Sequence, residues 1–194
     1  MEIIELDKDN LGNTLRLLRS RFKKDQVGNN ESDGLPWIAY EHSLNKGSAA
    51  AKEWEKKGVK LKTLQYFVAV ENEVVIGASG VYETSKHYFD SEWQRKYPEL
   101  AAKLIVPGNF FMGWTAVEKT GEAKRKGLGL KLLKHGIIRA KKIADSREIV
   151  DPNWCVLADA DSREFFEKAG LNRISDYLTE ELFRDPISDL LARL

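Results

Sequence analysis

The sequence predicts an α/β fold built on a mixed sheet, and three observations carry that prediction. From Phe110 to Leu171 an apolar run (Phe110 to Val117), a charged glycine-bearing loop, a long basic helix and a second apolar run (Trp154 to Ala158) follow one another, ending in a short helix before Gly170. That succession is a crossover around a loop facing a ligand. Upstream, Leu64–Val70 and Val74–Val81 are rows of Val, Ile, Phe and Tyr separated by Glu71-Asn72-Glu73, a connection short enough for a hairpin. A hairpin before a crossover requires a sheet with both pairings. Finally, leucines at helical spacing after a short N-terminal strand supply a helix to cover one face.

In chain order, Met1–Leu6 reads as a strand, and Asp7 or Asp9 caps a helix carrying Leu11, Leu15, Leu18 and Phe22. Asp25–Leu35 is polar and glycine-bearing, a loop expected to be mobile. Pro36 opens a second helical region with Trp37, Tyr40, Glu41 and His42, which Gly47 interrupts before Ala49 resumes it. Gly77 and Gly80 mark close packing or a bulge within the hairpin. The segment 85–104, with Tyr88, Phe89, Trp93, Tyr97 and Leu100, reads as an inserted helix. It covers a site, forms the contact of a homodimer or simply packs, and its residues leave all three open. Leu171–Phe183 supplies one or two closing strands, and Pro186–Leu194 a short helix.

The 194 residues suit a single domain with that helical insertion, and they suffice for a substantial core. A net charge of +1 gives no global attraction to nucleic acid or membrane, so anion binding must come from local clustering. The lone Cys155 excludes an internal disulfide framework and suits a reducing compartment. With no leader-like start and no apolar stretch long enough to span a bilayer, a cytoplasmic protein is expected. No metal-ligand pattern stands out.

Lys124-Arg125-Lys126-Gly127-Leu128-Gly129 runs directly into a helix through Leu130. Glycines at a helix opening let the backbone approach a phosphate, and first-turn N–H groups lack intrahelical partners. The helix dipole and three cations favour the same anion. A dinucleotide fingerprint would need glycine at Leu132, and a triphosphate loop would need Gly-Lys-Ser/Thr; neither is present.

The loop resembles that of the Gcn5-related N-acetyltransferases, Arg/Gln-x-x-Gly-x-Gly/Ala between a strand and a helix, with Lys124, Gly127 and Gly129 in the matching places. Asp159 to Leu171 is similar to the same family's segment after its fifth strand, Asn-x-x-Ala/Ser-x-x-Leu/Phe-Tyr-x-x-x-Gly-Phe. The likeness is strongest over roughly the last ninety residues. It implies a mostly antiparallel sheet flanked by helices, with a V-shaped splay between the fourth and fifth strands. It further implies acetyl-CoA or another acyl-CoA as cofactor, in contact with Ala116, Val117, Lys124, Arg125, Lys126, Gly127, Leu128, Gly129, Leu130, Asp159, Ser162 and Phe166. The N–H of Val117 would polarise the thioester carbonyl.

An amine acceptor, small molecule or peptide, is expected against the N-terminal helices, where Trp37, Tyr40, Glu41 and Glu83 are candidate contacts. The departures from the family pattern fall on the proton-handling groups. Phe166 stands where a tyrosine acid is usual, Lys124 lacks the planar fork of arginine, and the loop after Val117 is long and lacks a proline. Glu83 is the first candidate for the base, ahead of His87, Glu41 and His42, and Ser162 or water for the acid. The rival expectation is an acyl-CoA-binding sensor or carrier with the same fold. Nucleic-acid binding through the lysine-rich helix is disfavoured because acidic residues balance the basic ones.

Overall fold

The computed structural model describes residues 1–22, 35–43, 48–56, 59–83, 91–104, 106–118, 127–177 and 180–194. Its strands are β1 (Glu2–Glu5), β2 (Gln65–Glu71), β3 (Val74–Glu83), β4 (Asn109–Met112), β5 (Ala116–Val117), β6 (Asn153–Ala158), β7 (Arg173–Tyr177) and β8 (Glu180–Pro186). Its helices are α1 (Lys8–Arg19), α2 (Leu35–Ser43), α3 (Ala49–Lys56), α4 (Ser91–Lys96), α5 (Pro98–Leu104), α6 (Leu128–Ser146), α7 (Arg163–Lys168) and α8 (Ile187–Arg193). One sheet runs β1-β2-β3-β4-β6-β8-β7, with β5 paired to β3. Every pairing is antiparallel except β4 with β6. The expected mixed, mostly antiparallel sheet is present.

Local chemistry sets most boundaries. Asp7, not Asp9, caps α1: its carboxylate accepts from the N–H groups of Asp9 and Asn10, while Asn10 Oδ1 accepts from Asp7 N–H. The hairpin turns on Asn72 (φ 50°) and Glu73 (φ 64°), two consecutive left-handed residues as a type I′ turn requires. Ser48 Oγ accepts from Ala51 N–H at the start of α3. The inserted segment forms two short helices, α4 and α5, instead of one, because Pro98 restarts the helix; residues 84–90 lie outside the described set.

Strand alternation sorts side chains onto two faces. Tyr66, Tyr82, Phe111, Ala116, Cys155 and Leu182 share one core cluster with Leu18 of α1, Ile38 of α2 and Ala101 of α5. Val81, Phe110, Trp154, Val156, Ala158 and Phe183 form the opposite cluster with Leu133, Ile137, Ala140 and Ala144 of α6. The insertion is thus a cover on the α1–α2 side.

The expected continuous strand from Phe110 to Val117 is broken. Val81 pairs with Met112, and Gly113 N–H donates to the Gly80 carbonyl at 2.7 Å, yet Ala78 pairs with Ala116. Trp114 and Thr115 therefore both stand opposite Ser79, the two-against-one arrangement of a β-bulge. The Tyr66 ring holds the bulge open from the α1 side: a Cβ on Gly80 would lie 2.5 Å from that ring, and one on Gly113 would lie 2.9 Å from its hydroxyl. Two glycines are needed there because an aromatic ring occupies the space.

Candidate functional site

The bulge creates a gap in the sheet. β4 pairs with β6 over three residues only, Asn109↔Asn153 to Phe111↔Cys155. Past that seam, among the described residues, Val156–Ala158 pair only with β8, and Ala116–Val117 only with β3. Two strand edges diverge and face one another, which is the V-shaped splay the resemblance implies. Glu118 N–H donates to the Ile76 carbonyl at 2.9 Å. By the two-residue alternation of an antiparallel ladder, the N–H and C=O of Val117 point the other way, into the gap. Its carbonyl accepts from Arg21 Nη2 at 2.5 Å. Arg21 follows α1 in a turn, so nothing in its local pattern marked it.

Beside the gap begins α6, whose 19 residues carry no side-chain cap at their N-terminus. Gly127 is left-handed (φ 62°), and a Cβ there would meet nothing within 4 Å, so the backbone is open to a ligand on that side. Lys131 N–H makes the first intrahelical bond, to the Gly127 carbonyl at 3.1 Å. The N–H groups of Leu128, Gly129 and Leu130 precede it as anion donors. A Cβ on Gly129 would stand 3.2 Å from the Phe165 ring, so α7 closes against α6 at this point. The cations expected beside the helix, Lys124, Arg125 and Lys126, lie outside the described residues.

Asp159 and Ser162 build the turn into α7. Asp159 Oδ1 accepts from Ser162 N–H at 2.9 Å and from Ser162 Oγ–H at 2.5 Å. Ser162 stands at the N-cap of α7 but makes no side-chain cap bond to the helix. Its hydroxyl proton is committed to a carboxylate, which argues against Ser162 as an acid. Phe166 is 6% exposed and packs on Phe183 with ring centroids 5.9 Å apart. Phe165, which sequence reading passed over, is the ring that meets the glycine loop.

Glu83 stands in the wrong place for a base. It faces the α6 side of the sheet, opposite the expected acceptor face, because it shares parity with Val81 and pairs with Phe110. It also lies six residues along β3 from Gly77, the partner of Val117, or about 20 Å at roughly 3.3 Å per residue. Its fully buried carboxylate takes Lys60 Nζ at 2.5 Å, the Arg147 guanidinium and Gly108 N–H at 3.2 Å. Burial alone would raise its pKa, but the bonds from Lys60, Arg147 and Gly108 outweigh burial and hold it below the ordinary value. Glu83 is a tie between the end of β3 and the end of α6. Neither the base role nor an acceptor contact survives this geometry.

Cys155 lies fully buried at the apex of the V, and burial, the largest influence, pushes its thiol up to about 12. It remains a neutral thiol. On the same face Tyr66 is 3% exposed, with its hydroxyl 3.5 Å from the Trp114 carbonyl at the bulge. Trp114 faces Phe22, centroids 6.5 Å apart. Trp37 and Tyr40 of α2 meet edge-on at 6.2 Å, and the buried Trp37 Nε1–H has no partner among the described residues. The side chains of Glu41 and His42, and the whole of His87, lie outside the described residues.

Neither a protein-family model nor a curated protein matches this sequence. Solved structures do. A putative acetyltransferase of the GNAT family from Desulfovibrio desulfuricans aligns over 96% of this chain and 98% of its own, with TM-score 0.59 and 14% identity. FeeM, an N-acyl amino acid synthase from uncultured soil microbes, aligns over 100% and 99%, with TM-score 0.58 and 12% identity. An N-acetyltransferase from Thermoplasma acidophilum, solved with coenzyme A, aligns over 95% and 98%, with TM-score 0.51 and 13% identity. The chain has the fold of the Gcn5-related N-acetyltransferases.

Proposed function

We propose that this chain is an acyl-CoA-dependent N-acyltransferase, moving an acetyl group from acetyl-CoA to a primary amine by direct attack in a ternary complex. One observation carries the proposal: a bulged strand turns the backbone of Val117 toward an unpaired edge of β6, beside the uncapped N-terminus of α6. Such a slot accepts an extended amide-bearing chain between two strand edges and its phosphates at the helix start. The likeness to a CoA-bound N-acetyltransferase supports the same reading.

The residues divide the work. Gly127, Leu128, Gly129 and Leu130 hold the diphosphate through backbone N–H groups, and Lys124, Arg125 and Lys126 supply countercharge. Ala116 and Val117 orient the arm, with Val117 N–H stabilising the oxygen that gains charge. When bound, acetyl-CoA supplies a thioester carbonyl whose C–S bond breaks as the N–C bond to the amine forms, the sulfur leaving as thiolate. Cys155, held neutral and buried, is no nucleophile for an acyl-enzyme, which favours direct attack. Tyr66 replaces Ser162 as the group that protonates the thiolate, since its hydroxyl stands at the bulge. The amine loses its proton to water or to a side chain outside the described residues.

A non-catalytic acyl-CoA-binding module is the second reading. It is favoured by the retirement of Glu83 and Ser162, and by the phenyl ring of Phe166. Calorimetric binding of acetyl-CoA, wild type against Gly129→Glu, tests the site both readings share. Loss of binding in a folded mutant supports it, and no binding by folded wild type sinks both. Thiol release across a panel of amines then separates transferase from carrier.

A further inference from the structure

From the charges on β8 we infer that the acceptor of the proposed transfer carries a carboxylate, and that Arg184 binds it. The acceptor class is an α-amino acid with an apolar side chain. This rests on the acyltransferase reading and adds the identity of its second substrate.

The charges of β8 separate by face. On the α6 side, Asp185 accepts from Arg193 Nη2 at 2.8 Å and from the Asn172 side-chain amide at 2.6 Å. Glu181, on the same side, pairs with Arg163 at 3.1 Å and Arg173 at 3.3 Å. Arg184 points the other way, with Leu182, into the face that holds Tyr82, Phe111 and Cys155. There it is half-buried, and its buried Nε–H has no hydrogen-bond partner among the described residues. Among the described residues no carboxylate meets it. Cys155, directly across on β6, cannot serve, because burial keeps its thiol neutral.

A guanidinium does not titrate away its charge, so a half-buried one without a counterion is an unmet electrostatic demand. Its planar fork matches a carboxylate in two parallel bonds. Tyr82, Phe111, Cys155 and Arg184 form one row across β3, β4, β6 and β8, and Phe111↔Cys155 is the last pair before the sheet splays. Arg184 therefore stands at the apex of the V, on the face opposite α6. Among the described side chains of β3 to β8 on that face it is the sole charge, and its neighbours Leu157, Leu182 and Phe111 are apolar. A carboxylate on the fork leaves an apolar side chain against those neighbours.

The test measures L-leucine, L-methionine and L-phenylalanine against their carboxamides as acceptors, and the N-acetyl amino acids against their N-acetyl amides as ligands by calorimetry. Wild type, Arg184→Gln, Arg184→Met and Arg184→Lys are compared, with acetyl-CoA binding and thermal melts as controls. The expected result is at least a tenfold preference for acids over amides in wild type, in both kcat/KM and binding. The Gln and Met variants lose that preference, Lys retains part of it, and acetyl-CoA binding is unchanged in all. Equal use of acids and amides by wild type, or a preference that survives in Arg184→Gln, overturns the proposal while intact acetyl-CoA binding leaves the transferase reading standing. Failure of wild type to bind acetyl-CoA sinks that reading instead, and the calorimetric acid–amide comparison still decides the role of Arg184. If the variants do not fold, equal use and equal binding of acids and amides by wild type still overturns the proposal.

Discussion

At the scale of single residues, Glu83, a buried ionic tie, and Tyr66, the acid of the proposed transfer, carry opposite predictions. Glu83 is buried between two cations that are each partly exposed, Lys60 at 37% and Arg147 at 40%. Water therefore screens part of the attraction, but removing the carboxylate still strands charge and an N–H. Glu83→Ala is expected to cost about 3–5 kcal/mol in urea unfolding. Because its folded pKa is depressed, its contribution is complete above the ordinary value of 4.5 and is lost as pH falls through the lower folded value. Glu83→Gln should flatten that acid limb of stability and leave the pH profile of kcat unmoved. A kcat profile that shifts in this variant restores Glu83 as the base. Tyr66→Phe keeps the ring on Gly80 and removes only the hydroxyl. It should lower kcat at least tenfold with KM for acetyl-CoA nearly constant, and cost no more than about 1.5 kcal/mol of stability.

Among the elements, the bulge is the feature on which the site depends, and it shows what a sequence can and cannot reveal. The hairpin, the long helix and the glycine loop were legible, because apolar periodicity and turn residues are local signals. The break in the strand at Trp114 and Thr115 was not, since an extra residue in a strand is defined only against its partner. The face of Glu83 was legible in principle: it stands two residues from Val81, in a strand whose alternate members turn toward α6. The partnerless Nε–H of Arg184 required coordinates, because a lone arginine in a strand pattern has no spacing to mark it. What sequence did mark were Gly77 and Gly80 as places of close packing, and Gly80, together with the unmarked Gly113, admits the Tyr66 ring. Gly80→Ala drives a Cβ to within 2.5 Å of that ring, an overpacking expected to cost about 1–3 kcal/mol. The double mutant Gly80→Ala with Tyr66→Ala should lose less stability than the two single changes together. Simple additivity would mean that the ring does not hold the bulge.

For the whole molecule, the consequence of the bulge is a sheet joined across its middle by three residue pairs. The β1–β5 side and the β6–β8 side are also bridged by α6, which contributes Leu132 to the core with Phe67 and Leu133 to the core with Trp154, and by the core on the opposite face, where Cys155 and Leu182 meet Tyr66 and Ala101. A ligand lying between Val117 and β6, with its phosphates on α6, would act as a missing strand and tie both sides together. Binding to the folded state alone stabilises it by about 2.7 kcal/mol at a hundredfold excess over Kd. For a chain of this size that raises Tm by roughly 5–10 °C, from about 2–4 °C per kcal/mol. The location of the gain distinguishes a strand-like ligand from a nonspecific one. Hydrogen exchange should slow at Val117 and at Leu128, Gly129 and Leu130, whose N–H groups gain partners, and change little in the first turn of α1, where the Asp7 cap already occupies the donors. A melting shift with protection spread evenly over the chain would place the ligand elsewhere.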